Sequence, residues 1–250
     1  MSRKYPRVNK ISDTERVRVV KEIFSTVTSE YDFLNHFLSL RRDISWRRFA
    51  VKKMRFPRTH RLLDVATGTA DLAIEAALCY PDLQVVGLDF VKEMIDLGRE
   101  KIEKKDLSKK IKLVQGDALH IPAASESVDA VSIAFGIRNV PRKIQALQEM
   151  MRVVVPGGQI LVLEMTLPGT PLLRRIYNIY LNMILPRIAH AFSSNPRAYY
   201  YLGDSIMDFS SVYDFALLMR RAGLVDVETH PLSLGITRLY VGYKSGSAYP

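Results

Sequence analysis

Apolar positions change their period twice along the 250-residue chain. Across residues 12–56, Val17, Val20, Ile23, Phe24 and Val27, and then Phe33, Leu34, Phe37 and Leu38, recur at the spacing of helices buried on one face. Pro57 closes this section. From Arg61 onward, short apolar runs alternate with helical stretches. Leu62 to Val65, Gln84 to Asp89 (QVVGLD), Ile111 to Gln115, Val128 to Ala134 (VDAVSIA) and Gly158 to Glu164 (GQILVLE) read as strands, and 71–78, 92–105 and 142–151 as helices. That alternation predicts right-handed βαβ units and a parallel sheet. After Pro171 come an apolar helix, the aromatic cluster Tyr199-Tyr200-Tyr201 and a helix from Val212 to Ala222. Val225 to Thr229 and Arg238 to Lys244 then read as a closing antiparallel pair. The expected organisation is one α/β domain: a helical cap over 1–58, a core over 61–165, a helical lid insertion over 171–210 and a closing segment over 211–250.

A content of 48% hydrophobic and 25% charged residues excludes a disordered or fibrous chain. Cys79 is the lone cysteine, which excludes a disulfide framework and a four-cysteine zinc site; within an apolar helix it reads as a small core residue. His36, His60, His120, His190 and His230 show no metal-ligand spacing, and no metal is expected. Charge is uneven. Residues 1–60 carry 15 Lys/Arg against 6 Asp/Glu, whereas the rest carry 21 against 20. Such a basic end attracts nucleic acid, an anionic membrane or an acidic ligand, and charge alone does not choose. The first ten residues are polar and basic, unlike a secretory signal. The most apolar stretch, Ile176 to Phe192, is interrupted by Asn178, Asn182, Pro186, Arg187 and His190, too short and polar to span a bilayer. The expectation is a cytoplasmic protein, peripheral to the membrane at most.

Candidate chemistry starts at Arg61 to Ala73, RLLDVATGTADLA, where a strand meets a glycine loop and a helix. Gly68 lets a ligand approach the backbone, and the helix-opening N–H groups face whatever binds. The three-glycine dinucleotide fingerprint is missing, because Thr69, Ala70 and Asp71 follow Gly68. A loop bracketed by Asp64 and Asp71 suits a ligand of positive character, such as the sulfonium and amine of S-adenosylmethionine. Asp89 ends the second strand, 25 residues beyond Asp64, where a carboxylate accepts from both ribose hydroxyls. Asp117, followed by Ala118 and Leu119, is placed to meet an adenine.

Two further segments narrow the class: AFGIRNVP over 134–141 and YDFLNHFLSLRRDISWRR over 31–48. With LLDVATGTADLA, PGGQILVLEM and the tail YYYLGDSIMDF…AGLVDVE…LSLGITRLYVGYK, they resemble the C-methyltransferases of menaquinone and ubiquinone biosynthesis, from about Thr26 to Lys244. The resemblance implies a class I S-adenosylmethionine-dependent methyltransferase fold, Rossmann-like, with a mostly parallel seven-stranded sheet. It also implies methyl transfer from S-adenosyl-L-methionine to a ring carbon of a reduced polyprenyl quinone, demethylmenaquinol to menaquinol. Family cofactor contacts fall on Thr69, Asp89, Asp117 and Ala118, beside Asp64 and Gly68. Tyr31 and Asp32 are placed by the family pattern to close over the site. Three positions depart from that pattern: Ala134 replaces a serine, Ala70 replaces the second loop glycine, and Ser39 to Ile44 carries no His-Arg pair.

Alkylating a ring carbon needs electron density there, which a hydroquinone losing a proton supplies. The enzyme then aligns carbon, methyl and sulfur and stabilises charge. Arg138, just past the fourth strand, can stabilise a forming phenolate, and Asn139 can orient the same oxygen. The lid from Leu172 to Phe192, with Tyr199 to Tyr201, reads either as packing or as a channel for a prenyl tail. The basic first sixty residues would hold the protein on an anionic membrane. A ubiquinone precursor is the alternative acceptor. An RNA methyltransferase is disfavoured because no N/D-P-P-Y/F element follows the fourth strand, and no nucleic-acid partner is expected. Whether the chain works as a homodimer stays open.

Overall fold

A computed structural model describes residues 11–26, 31–192 and 195–246, apart from the side chains of Tyr31, Phe192 and Arg197. The period-two runs form one sheet of seven strands: β1 (Arg61–Val65), β2 (Gln84–Asp89), β3 (Ile111–Gln115), β4 (Val128–Ala134), β5 (Val154–Met165), β6 (Val225–Leu232) and β7 (Thr237–Tyr243). Their order is β3-β2-β1-β4-β5-β7-β6. The first five run parallel, and β7 lies between β5 and β6, antiparallel to both. The expected mostly parallel α/β sheet is the one observed.

Consecutive strand residues serve opposite faces, so a sheet covered on both sides reads as continuous apolar runs. Leu62 joins α3 (Arg42–Lys52), α4 (Asp71–Cys79) and α5 (Lys92–Lys104) through Trp46, Val51, Leu72, Ile95 and Ile102. Leu63 joins α6 (Lys143–Val153) and α10 (Val212–Arg221) through Leu147, Met150, Phe215 and Met219. Two readings need correction. The fifth strand begins at Val154 rather than Gly158, because Pro156 and Gly157 sit within the strand at a register shift against β4, where Pro156 owes no ladder N–H and Gly157 donates its own to the Lys244 carbonyl. Cys79 is exposed, at the last turn of α4, while Ala76 and Ala77 take the buried face.

The cap and the lid, far apart in sequence, share a third core. Val19, Val20 and Ile23 of α1 (Asp13–Thr26) and Leu34 of α2 (Tyr31–Leu38) cluster with Tyr177 of α7 (Pro171–Ile179), Leu185 and Ala189 of α8 (Leu185–Phe192) and Ala198 and Tyr201 of α9 (Arg197–Met207). Tyr180 Oη donates to the Leu38 carbonyl at 2.8 Å, and Asn195 Nδ2 to Thr26 Oγ1 at 2.9 Å. Together these helices form a roof over the carboxyl ends of the strands. Pro171 opens α7 at a position where no N–H is needed. A π turn over Tyr180–Ile184 joins α7 to α8, directly before Pro186, whose missing N–H removes one ordinary helical bond.

Candidate active site

β1 and β4 are neighbours, but the connections beyond them lead to opposite halves of the sheet, which opens a crevice at their carboxyl ends. Two loops meet there, 66–70 after β1 and 135–139 after β4. Both carry left-handed backbone: Ala66 (φ 50°), Gly68 (57°), Ala70 (67°) and Phe135 (58°). Only the glycine is relaxed there; the others each cost on the order of 1 kcal/mol, strain that surrounding structure must enforce. α3 supplies part of that enforcement, with Trp46 tilted against the Phe135 ring at 6.1 Å and the Arg47 guanidinium over it at 5.5 Å. A Cβ on Gly136 would come within 2.7 Å of the Ala66 Cβ, so the loops are pressed together.

Between them opens a cleft of about 920 Å³, continuous with solvent. Gly68, Asp89, Asp117 and Ala118 of the candidate cofactor set line it, together with Asn139 of the candidate catalytic set and Phe135. Gly68 has open space before it, so the backbone is free for a close ligand. Its N–H donates to Asp89 Oδ2 at 2.8 Å, and the Val91 N–H donates to Asp89 Oδ1 at 2.9 Å. The Asp89 carboxylate is thereby fixed at the cleft wall, and burial pushes its pKa up. Asp117 accepts from the Leu119 N–H at 2.9 Å, which braces the turn holding Ala118.

Asp64 and Thr69 are placed differently from the expectation. Neither lines the cleft. Asp64 is buried at the end of β1 and accepts from Ser132 Oγ and Thr67 Oγ1, each at 2.7 Å, so it ties the first loop to β4. Burial pushes its pKa up to about 6, against those two hydrogen bonds. The charge of Asp71 is met by Lys101 and Arg47. The acids facing the cleft are therefore Asp89 and Asp117, and the bracket of Asp64 and Asp71 belongs to the framework.

Thr69 is part of the joint between cap and core. Its hydroxyl donates to Asp32 Oδ1 at 2.7 Å, and Lys101 Nζ donates to Asp32 Oδ2 at 2.7 Å and to Thr69 Oγ1 at 3.0 Å. Asp32 thus clamps α2 onto the loop after β1 and α5. Tyr31 begins α2, and its side chain lies outside the described residues. Farther along the cap, His36, Asp43 and Asp71 gather ligand atoms within 4.8 Å of one another, but the Arg47 guanidinium already pairs with both carboxylates.

Arg138 is buried behind the cleft. Its Nη1 donates to Glu164 Oε1 at 2.5 Å and to the Phe135 carbonyl at 2.6 Å, its Nε to Ser205 Oγ at 3.3 Å, and its backbone N–H to Glu164 Oε2 at 3.1 Å. None of these bonds uses Nη2. Arg138 lines two further cavities under the roof: one reaches Leu181 and Leu185 of the lid, and the other reaches Asn139 and Tyr201. Phe135 is shared between the cleft and the first cavity, and Asn139 and Phe24 between the cleft and the second. Tyr201 Oη donates to Asn139 Oδ1 at 3.4 Å, and burial keeps that phenol protonated. Sequence reasoning missed Glu164, Ser205 and Tyr201 as partners of this pair, and Val17, Val20 and Phe24 as a cleft wall. A signal for Glu164 was present: it is the one charge in the apolar run of β5. No local signal marks the α1 residues, which reach the cleft only through tertiary packing.

A methyltransferase of class I is the protein class that this sheet and switch-point cleft define. Among solved structures, a SAM-dependent methyltransferase of Thermotoga maritima is similar with a TM-score of 0.61 at 19% identity, covering 90% of this chain and 99% of that one. Haemonchus contortus phosphoethanolamine N-methyltransferase 2, in complex with S-adenosyl-L-methionine, is similar with a TM-score of 0.57 at 16% identity, over 79% of this chain and 52% of that one. Residues 9–244 match the ubiE/COQ5 methyltransferase family, and the chain belongs to it. A ubiquinone/menaquinone biosynthesis C-methyltransferase of Geotalea daltonii is 41% identical over 92% of this chain and 98% of its own. A demethylmenaquinone methyltransferase of Deinococcus radiodurans is 40% identical over 92% of this chain and 94% of its own.

Proposed function

We propose that the protein methylates a ring carbon of a reduced polyprenyl quinone, demethylmenaquinol to menaquinol, with S-adenosyl-L-methionine as donor. The observation that carries this reading is the succession of cavities: an acid-lined cleft that shares Phe135 and Asn139 with two neighbouring, mostly apolar cavities, both bordered by one buried arginine. The relatives support it, and those whose names include ubiquinone keep a ubiquinone precursor as the second acceptor.

The cleft fits the donor. The fixed Asp89 carboxylate suits vicinal ribose hydroxyls, Asp117 and Ala118 suit an adenine, and the open face of Gly68 admits the chain between them. Bound there, S-adenosylmethionine supplies an activated methyl group. Arg138, locked by Glu164, presents a permanent positive charge to the ring oxygen and holds it as an anion, which pushes electron density onto the neighbouring carbon. Asn139, oriented by Tyr201, fixes the same oxygen. A guanidinium takes no proton, so water takes the hydroxyl proton as the phenolate forms; once the methyl has added, the hydrogen on that ring carbon is lost and the oxygen regains a proton, for a net release of one. Phe135 and the roof shield Arg138 from the open cleft, which strengthens the charge interaction. Leu181, Leu185, Leu202 and Ile206 line the cavity suited to a prenyl tail. The basic residues of 1–60 draw the protein toward an anionic membrane, where such a substrate is dissolved.

Calorimetry with S-adenosylmethionine tests the donor site. Asp89→Ala is expected to weaken binding roughly 10- to 100-fold, the worth of one or two hydrogen bonds to a charged group. Wild-type protein that is folded and gives no heat with this donor overturns the reading.

A further inference from the structure

The segment from Pro171 to Phe192 has two faces, and only the inner one is explained by the cavities. Tyr177, Leu181, Leu185 and Ala189 turn inward and pack in the roof. On the opposite side Leu172, Ile176, Ile179, Met183 and Ile184 are between 45% and 68% exposed. Leu172, Ile176, Ile179 and Met183 fall three or four residues apart, so they make one stripe along the helix rather than scattered exposures. Arg174, Arg175 and Arg187 are exposed on the same segment. From Thr166 to Gly203 the sequence contains four Arg and no Asp or Glu. Among the described residues no helix is long and apolar enough to cross a membrane. An apolar stripe bordered by arginines and asparagines, with no acid on the segment, is instead the pattern of a helix that lies in a lipid interface.

We infer that the outer face of α7 and α8 docks on an anionic lipid bilayer, with Leu172, Ile176, Ile179 and Met183 among the acyl chains and the arginines at the phosphates. Charge selects this occupant over a second copy of the chain. A two-fold interface sets a patch against itself, and this patch would bring arginines together with no acid between them. The same helix roofs the cavity bordered by Leu181 and Leu185, so docking places the bilayer one helix thickness from that cavity. The basic residues of 1–60 then act at long range, and the lid inserts. This assignment rests on the quinol reading only for its purpose; the surface itself is tested without substrate.

Co-sedimentation of the full chain with vesicles of phosphatidylglycerol and phosphatidylcholine, at low salt and without donor or quinol, gives the test. Wild type is expected to sediment with them and not with pure phosphatidylcholine. Ile176→Ser with Met183→Ser is expected to weaken partition at least about tenfold, and Arg174→Glu with Arg175→Glu by a similar factor that vanishes at high salt. All four sites are exposed and only Arg174 gives up a hydrogen bond, to the Pro168 carbonyl, so the melting temperature is expected to change little, and turnover of a short-tailed, water-soluble quinol likewise. Vesicle binding without any methyl transfer would keep this inference and sink the quinol reading. Wild type that ignores anionic vesicles, or double variants that bind as wild type does, overturns it. So does a wild-type dimer that the Ile176→Ser, Met183→Ser variant converts to monomer without a change in vesicle binding.

Discussion

The acids at the carboxyl ends of β1 and β2 and the acid in the cap are held in opposite ways. Asp64 and Asp89 bond to groups of the first loop and adjacent strand: Asp64 to Thr67 and Ser132, Asp89 to Gly68 and Val91. Asp32 reaches across the molecule to Thr69 and Lys101, just as Tyr180 reaches Leu38 and Trp46 reaches Ser233. The floor is therefore shaped by the strand–loop–helix that carries it and stands ready before any ligand arrives. The roof exists only once distant segments have met, and several of its joints are partly exposed.

The hardest break in this contrast is at the buried Arg138–Glu164 pair of the floor, whose arginine also reaches Ser205 of the roof. Arg138→Ala strands Glu164 in the interior without its counter-ion and is expected to cost about 3–5 kcal/mol. Urea unfolding reads that loss. Because a stability loss confounds activity, Arg138→Gln combined with Glu164→Gln separates the two effects. The pair is expected to unfold nearly as wild type does, with kcat lower by about 100-fold or more and donor affinity within about twofold.

Asp64 sharpens the contrast through pH. Its folded pKa of about 6 lies above the ordinary 3.8, so between these values the folded chain keeps a proton that the unfolded chain releases. The penalty for ionising Asp64 is thus absent at low pH, grows through this window and is complete above it. Asp64→Asn is expected to shrink the stability difference between about pH 4 and pH 7 by on the order of 2–3 kcal/mol, seen in melting curves. An unchanged difference would show that Asp64 is not a buried framework acid.

Smaller effects are expected at the joints. Lys101→Ala leaves Asp32 and Asp71 short of one partner, but all three side chains keep some solvent. The expected loss is about 1 kcal/mol, with a several-fold rise in quinol KM as α2 loosens. A change in kcat alone would place Lys101 in the floor instead. Ala70→Gly relieves a left-handed backbone while losing a buried methyl, so its stability is expected to stay within about 1 kcal/mol of wild type.

The same division explains what was legible in the sequence. Each strand of the floor is a short apolar run ended by an acid or a turn, and Gly68, Asp89 and Asp117 follow from that local grammar. Register within β5 was not legible, because Pro156 and Gly157 punctuate turns and bulged strands alike. The contacts of Asp32, Tyr201 and Phe24 were not legible either, since no residue near them in sequence announces the partner. Asp64 shows the limit within the floor: its position was right for the fold, while its role was settled by which hydroxyls happened to face it.

The central claim is that this chain places a methyl group on the carbon of a reduced quinone ring. Incubation with S-adenosylmethionine carrying a ¹³C methyl, with demethylmenaquinol or its oxidised form, followed by carbon NMR of the extracted lipid, reads this directly. The expected result is a single aryl-bound methyl resonance formed from the reduced acceptor alone. A methoxy resonance, or equal labelling of the oxidised quinone, would contradict it.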